Sequence, residues 1–201
     1  MTLRLLLATG NPGKVREFAF LLRHAPFQLT SLDEEGIDLE VRETGRTLHE
    51  NAQLKAAAYC GDSRFVVLAD DSGLEVDALG GEPGSLSARY GGKKTDAERV
   101  AFLLSRLQGV PREKRSARFR CVIAIGASSR IVTVCEDECS GVIAFEPKGE
   151  KGFGYDPVFY LPELGKTMAE LSVEEKSRVS HRGKAARKAL AILETMRSGV
   201  Q

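Results

Sequence analysis

Phe65-Val66-Val67-Leu68-Ala69-Asp70-Asp71-Ser72-Gly73 decides how this chain is read. The five leading apolar residues read as a buried strand. The run then carries two adjacent carboxylates and a hydroxyl into what reads as a glycine-marked turn. Carboxylates at the end of a buried strand are costly without a partner. A hard cation such as Mg²⁺ would satisfy them, and Mg²⁺ in turn suggests a phosphate substrate. The competing reading is that Asp70 and Asp71 merely cap a turn, where Asp is common.

Upstream of this strand, Thr47-Leu48-His49-Glu50 is a capping box. It starts a helix that carries Asn51, Leu54, Lys55, Ala58 and Tyr59. Before it lies the acidic segment 33–43, with loop composition, and before that a strand over 27–32. A helix over 14–23 places Val15, Phe18, Ala19 and Leu22 on one face. The chain opens with a buried strand over 3–8. Downstream, the glycine-rich stretch 79–94 is expected as a loop. Thr95-Asp96-Ala97-Glu98 caps a helix reaching about residue 107. Residues 117–127 alternate as a strand would, 130–135 and 139–145 continue a meander, and 149–157 is a second flexible loop. A helix over 180–197 ends the chain, with Ser180 as its expected N-cap. Helices first alternate with strands and antiparallel strands then dominate, which predicts a mixed α/β sheet.

The 201 residues suffice for one domain, or one domain with a lobe. Lysine plus arginine number 29 and aspartate plus glutamate 28, so no net charge draws the chain to bulk nucleic acid. No stretch approaches the ~20 apolar residues of a membrane span. The amino-terminal apolar run is too short for a signal peptide. Cys135 and Cys139 enclose Glu-Asp-Glu, but no second Cys/His pair completes a zinc site. Free thiols in a reducing compartment are expected for them, Cys60 and Cys121.

Four further segments carry chemistry. Thr9-Gly10-Asn11-Pro12-Gly13-Lys14 joins a strand to a helix, where backbone N–H groups favour anions. It is no Walker A loop, because Ala8 and Val15 stand where Gly and Ser or Thr are needed. Glu43 closes the acidic loop and is a candidate third metal carboxylate, with Glu40 its nearest rival. Lys55 lies one helical turn beyond Asn51, on the same face. Phe153-Gly154-Tyr155-Asp156-Pro157 offers an aromatic ring for stacking on a purine and a carboxylate able to accept from a base N–H. Lys176-Ser177-Arg178-Val179-Ser180-His181-Arg182 sets cations before a helix start, against the macrodipole, a mismatch that suits an anionic ligand.

Together these segments resemble the inosine triphosphate pyrophosphatase (Ham1/RdgB-like) family, in its bacterial-type branch acting on XTP and dITP. The match is spread over residues 3–191. It includes Thr9 to Lys14, Glu43-Thr44-Gly45 with Glu50-Asn51-Ala52, Ala69 to Leu74, Pro83-Gly84, Ser87-Ala88-Arg89-Tyr90, Phe153 to Asp156, Lys176-Ser177, and Ser180-His181-Arg182-Gly183. The resemblance implies a single domain over 1–201. Its fold would be an elongated mixed sheet flanked by helices, in two lobes with the active-site cleft between them. It implies a cytoplasmic homodimer that uses Mg²⁺ to hydrolyse ITP, dITP and XTP to the monophosphate and pyrophosphate. Neither nucleic acid nor a membrane is an expected partner. Asp71 would be the catalytic base, and Glu43, Asp71 and Asp70 the metal carboxylates. Thr9, Gly10, Asn11, Pro12, Gly13 and Lys14 would hold phosphates, and Lys55 and Ser72 would touch substrate. Phe153, Gly154, Tyr155, Asp156, Lys176, His181 and Arg182 would line the nucleoside pocket. A phosphotransferase and a non-catalytic nucleotide sensor remain open alternatives on sequence alone.

Overall fold

The computed structural model describes residues 4–25, 27–61 and 64–198. The expected beginning of the first strand at Leu3 lies outside them. The central strand does not stop at its carboxylates: β3 spans Val66–Val76, and Asp70, Asp71, Ser72 and Gly73 lie within it. Gly73 marks a close approach and not a turn. A Cβ there would meet the Gly84 carbonyl oxygen at 2.3 Å and Ser87 Oγ at 3.1 Å, so only glycine lets the two backbones touch.

Among the described residues the sheet has seven strands. β1 (Arg4–Leu7) and β2 (Gln28–Ser31) precede β3, and β4 (Ser116–Ala127), β5 (Arg130–Ile143), β6 (Phe159–Leu161) and β7 (Lys166–Thr167) follow it. Their order is β2-β1-β3-β4-β5-β6-β7. β1 runs parallel to both neighbours, with Leu5 opposite Leu29 on one side and Val66 on the other. β6 runs antiparallel to β5 and to β7. The sheet is therefore mixed, as expected. The helices are α1 (Pro12–Leu21), α2 (Leu48–Tyr59), α3 (Asp96–Arg106), α4 (Val173–Val179) and α5 (His181–Ser198).

The chain divides into two compact units. The first comprises Met1–Asp71, Cys121–Asp137 and Arg182–Gln201. Here strand periodicity sorts the side chains onto two faces. Leu5, Leu7, Val66 and Leu68 pack with Phe18 of α1 and with Ala185, Ala186, Ala189 and Leu193 of α5. Leu6, Ala8, Val67 and Ala69 pack with Leu48, Ala52, Ala56 and Tyr59 of α2. Both sheet faces are covered, which is why these strands read as unbroken apolar runs. Fully burying one leucine contributes roughly 1.5–3 kcal/mol. The Thr47 capping box found at the start of α2 is worth about 1 kcal/mol, so packing outweighs capping in holding the helices here.

The second unit comprises Ser72–Arg120 and Glu138–His181. Its core joins Val100 and Leu103 of α3 to Leu74, Val76, Phe119, Ile143, Val158, Phe159 and Met168. The expected Thr95 capping box is present at α3.

Three expectations are corrected. Residues 130–135 and 139–145 are not separate strands, because β5 is continuous through Glu136-Asp137-Glu138. Acidic residues disfavour strands, but here Lys188 Nζ lies 2.9 Å from Asp137 and His49 Nε2 3.4 Å from Glu136. The stretch 79–94 is not wholly loop: 3₁₀ turns occupy Asp77–Leu79 and lie within Gly84–Gly92, where the backbone kinks at Arg89, Tyr90 and Gly91. The region before the last helix contains α4, capped by Ser172 with Glu175 as its box partner. Ser180 ends α4 in extended conformation, with its N–H bonded back to Lys176 O, and directly precedes α5, the position that its N-cap reading gives it. The four cysteines are free thiols.

Candidate active site

Because β3 continues through the carboxylates, Asp70 and Asp71 point to opposite faces of the sheet. Asp70 faces the side covered by α1 and α5. Its Oδ2 lies 2.9 Å from Lys14 Nζ and 3.5 Å from Arg182 Nε. Arg182 is also paired with Glu17. Burial alone would raise the Asp70 carboxyl, but Lys14, Arg182 and Lys55 pull it down to about 2. The same partnership raises Arg182: burial opposes its charge, and Glu17 and Asp70 outweigh burial.

Asp71 faces α2. Lys55 Nζ donates to its Oδ1 at 3.0 Å, and Asn51 Nδ2 to its Oδ2 at 3.3 Å. Lys55 Nζ also donates to Glu43 Oε1 at 2.9 Å. One ammonium therefore gathers two carboxylates from distant parts of the chain. Burial raises the Asp71 carboxyl and Glu43 adds to the effect, while Lys55 and Lys14 oppose it. Lys55 is itself raised: burial would lower it, but Asp71, Asp70 and Glu43 prevail. Glu40, the rival to Glu43 on sequence grounds, is exposed.

The sequence places Asn51 on the Lys55 face without giving it a specific role. Its Oδ1 accepts from Gly45 N at 2.9 Å while its amide reaches Asp71. It thus fastens the Glu43-Thr44-Gly45 loop beside β3. A Cβ on Gly45 would come within 2.6 Å of Asn51 Oδ1, so glycine is required at that contact. The signal in the sequence was its spacing from Lys55, one helical turn away on the same face.

The opening turn also differs in detail from its reading. Asn11 is the N-cap of α1, and its Oδ1 accepts from Gly13 N at 2.8 Å and Lys14 N at 3.2 Å. Pro12 has no N–H to offer. Thr9 Oγ1 accepts from Asn11 N. Two amides of the supposed anion cradle are thus already engaged by Asn11. Gly10, Asn11 and Pro12 are exposed. Thr9, the Asn11 amide and Lys14 remain the side chains that carry donors at this turn.

In the second unit, the loop before β6 is tightly tied. Phe153 N donates to Asp156 Oδ2 at 2.8 Å, and Lys176 is ion-paired with that same oxygen. The Lys176 ammonium stands 5.2 Å from the centroid of the half-buried Phe153 ring. Tyr155 is buried in the core, and its hydroxyl donates to Ser87 O at 2.9 Å. Burial pushes that phenol well above its ordinary range. The ring left accessible for stacking is that of Phe153. His181 is buried and stacks on Phe119, centroids 4.7 Å apart. Ser72 follows Asp71 in β3 and is partly exposed.

The donor chemistry fits a hard divalent cation at Glu43 and Asp71, two carboxylates already converging on one positive charge. No group of three or more His, Cys, Asp or Glu side chains with a metal-binding arrangement occurs among the described residues. The rest of a Mg²⁺ shell would then be water and phosphate oxygen, the usual habit of that ion. Asp70 is directed to Lys14 and Arg182, on the other face.

The Ham1 family sequence model matches residues 5–192. The chain belongs to the Ham1 family. A curated relative, a dITP/XTP pyrophosphatase of Geobacillus kaustophilus, is 54% identical over 185 residues, 92% of this Ham1 chain and 91% of the relative. One of the same name from Desulforamulus reducens is 52% identical over 192 residues, 95% and 96% of the two chains. Among solved structures, the HAM1 protein of Coxiella burnetii superposes with a TM-score of 0.85 at 39% identity. That match covers 96% of this chain and 100% of the other. The Staphylococcus aureus Ham1 protein gives 0.84 at 42% identity, covering 96% and 99%.

Proposed function

We infer that this Ham1 chain hydrolyses deaminated purine nucleoside triphosphates, dITP, ITP and XTP, to the monophosphate and pyrophosphate. Relatives bearing the name dITP/XTP pyrophosphatase at about half identity across almost the whole length support the substrate class. The observation that carries the chemistry is the meeting of Glu43 and Asp71 on Lys55 at 2.9 and 3.0 Å.

Glu43 and Asp71 would hold Mg²⁺, which when bound supplies positive charge to the phosphoryl oxygens. Asp71 orients water and takes its proton as the oxygen attacks the α-phosphorus. The bond from that phosphorus to the bridging oxygen breaks, and pyrophosphate leaves with the electron pair. Lys14 and Lys55 offset charge as it builds on the phosphates. Thr9 and Asn11 offer further donors at the opening turn. Asp70 anchors Lys14 and Arg182 and so sets where those cations stand.

Phe153 stacks on the purine, with Lys176 beside its ring. Hypoxanthine and xanthine present an acceptor oxygen at C6 where adenine presents an amino donor. A pocket that donates there leaves adenine's amino group opposed. An unpaired buried polar group costs ~1–3 kcal/mol, so several such contacts are required for strong rejection. We propose a homodimer in the cytoplasm on the family resemblance. Among the described residues no helix is long and apolar enough to cross a membrane.

The test is product identification with ITP, dITP, XTP, ATP and GTP in the presence of Mg²⁺. Pyrophosphate and monophosphate are expected from the first three. Orthophosphate would refute the assigned bond, transfer to an added acceptor would favour a phosphotransferase, and binding without turnover would favour a sensor.

A further inference from the structure

We propose that Asp96 is a positioning residue for base recognition, acting through the backbone of the Phe153–Asp156 loop. The inference rests on the reading that this loop holds the base. Asp96 opens α3, directly after its N-cap Thr95. Its two carboxylate oxygens have separate tasks. Oδ1 pairs with Arg99, whose Nη1 also donates to Lys93 O and Lys94 O, at 3.1 and 3.0 Å. Oδ2 reaches 58 residues along the chain and accepts from Gly154 N at 2.7 Å.

Gly154 is the residue between the accessible Phe153 ring and the buried Tyr155. Its φ is +63°, a left-handed conformation that a side-chain-bearing residue adopts only at a cost. The Asp96 carboxylate holds the amide that conformation presents. Either side of Gly154 the chain is already tied: Phe153 N to Asp156 Oδ2, and the Tyr155 hydroxyl to Ser87 O. Without Asp96, the peptide joining these ties has no charged acceptor, and the plane of the Phe153 ring is less well set. A helix cap needs no such reach. Thr95 and Glu98 already form the capping box of α3, so the Asp96–Gly154 bond serves the loop.

The experiment compares steady-state hydrolysis of ITP by the parent, Asp96→Ala and Asp96→Asn, with melting temperature measured alongside. A bond to a half-exposed charged acceptor corresponds to roughly a tenfold effect. Asp96→Ala is expected to raise KM for ITP about tenfold with kcat within about twofold, and Asp96→Asn, which keeps an oxygen acceptor, to recover most of the loss. Asp96→Ser, too short to reach Gly154 yet well suited to a helix start, gives the same reading should the alanine variant not fold. A fall in kcat with KM unchanged overturns the proposal, as does no kinetic change, or an asparagine variant as impaired as alanine. Phe153→Ala separates the two levels. If it too leaves KM for ITP unchanged, the loop is not the base site. If it raises KM while Asp96→Ala does not, only the role of Asp96 fails.

Discussion

A strand sends consecutive side chains to opposite faces, so Asp70 and Asp71 answer to different helices. Asp70 is fully enclosed with Lys14 and Arg182. Removing it takes from Lys14 its carboxylate partner and leaves the buried Arg182 with Glu17 alone, a loss of about 3–5 kcal/mol in comparable cases. Asp70→Ala is therefore expected to fail chiefly in stability, seen as a lower midpoint in urea unfolding. Asp71→Asn keeps its size, one acceptor for Lys55 and a place beside Asn51. It is expected to unfold near the parent midpoint while turnover of ITP falls about 10²–10⁴-fold, the usual range for loss of a general base. Comparable turnover loss and comparable destabilisation in the two variants would sink the division of labour. That two carboxylates follow a buried apolar run was legible in the sequence. That they face different helices was not, because the apolar run ends at Ala69 and the sequence gives no sign that the strand alternation continues through the carboxylates.

At the scale of elements, the sequence was most informative where periodicity and capping agree. α2 and α3 begin at their Thr-x-x-Glu boxes, and α1 ends two residues short of its reading. It was least informative where polar residues interrupt a strand. In the sequence Gly73 reads as punctuation, yet its role emerges only when Gly84 is brought against it. Gly73→Ala places a methyl 2.3 Å from a carbonyl oxygen, and it must also displace the Ser87 hydroxyl that accepts from Leu74 N at 2.9 Å. Overpacking of this kind costs about 1–3 kcal/mol. The variant should melt several degrees below the parent; an unchanged melting temperature would show that the contact yields freely. The acidic run in β5 misled for a related reason. Its carboxylates are matched by His49 and Lys188, which lie 80 or more positions before and 50 or more after it by residue number.

At the scale of the molecule, the proposed cation and the fold are separable. Glu43 and Asp71 are both satisfied by Lys55 without any metal. Chelation of Mg²⁺ should thus abolish ITP hydrolysis while circular dichroism and melting stay near those of the loaded protein. Unfolding on chelation would instead make the metal a structural element. The sequence by itself determined the α/β class, the starts of α2 and α3, the buried character of β1 and β3, and the family, because each is written in local periodicity, capping chemistry or motif order. Only the tertiary structure decided which cation meets which carboxylate, that Asn51 spans Gly45 and Asp71, and that Asp96 holds Gly154. Those pairings reach as far as 165 positions along the chain, from Glu17 to Arg182, and no local pattern specifies which distant partner the packed helices and strands will bring within hydrogen-bond reach.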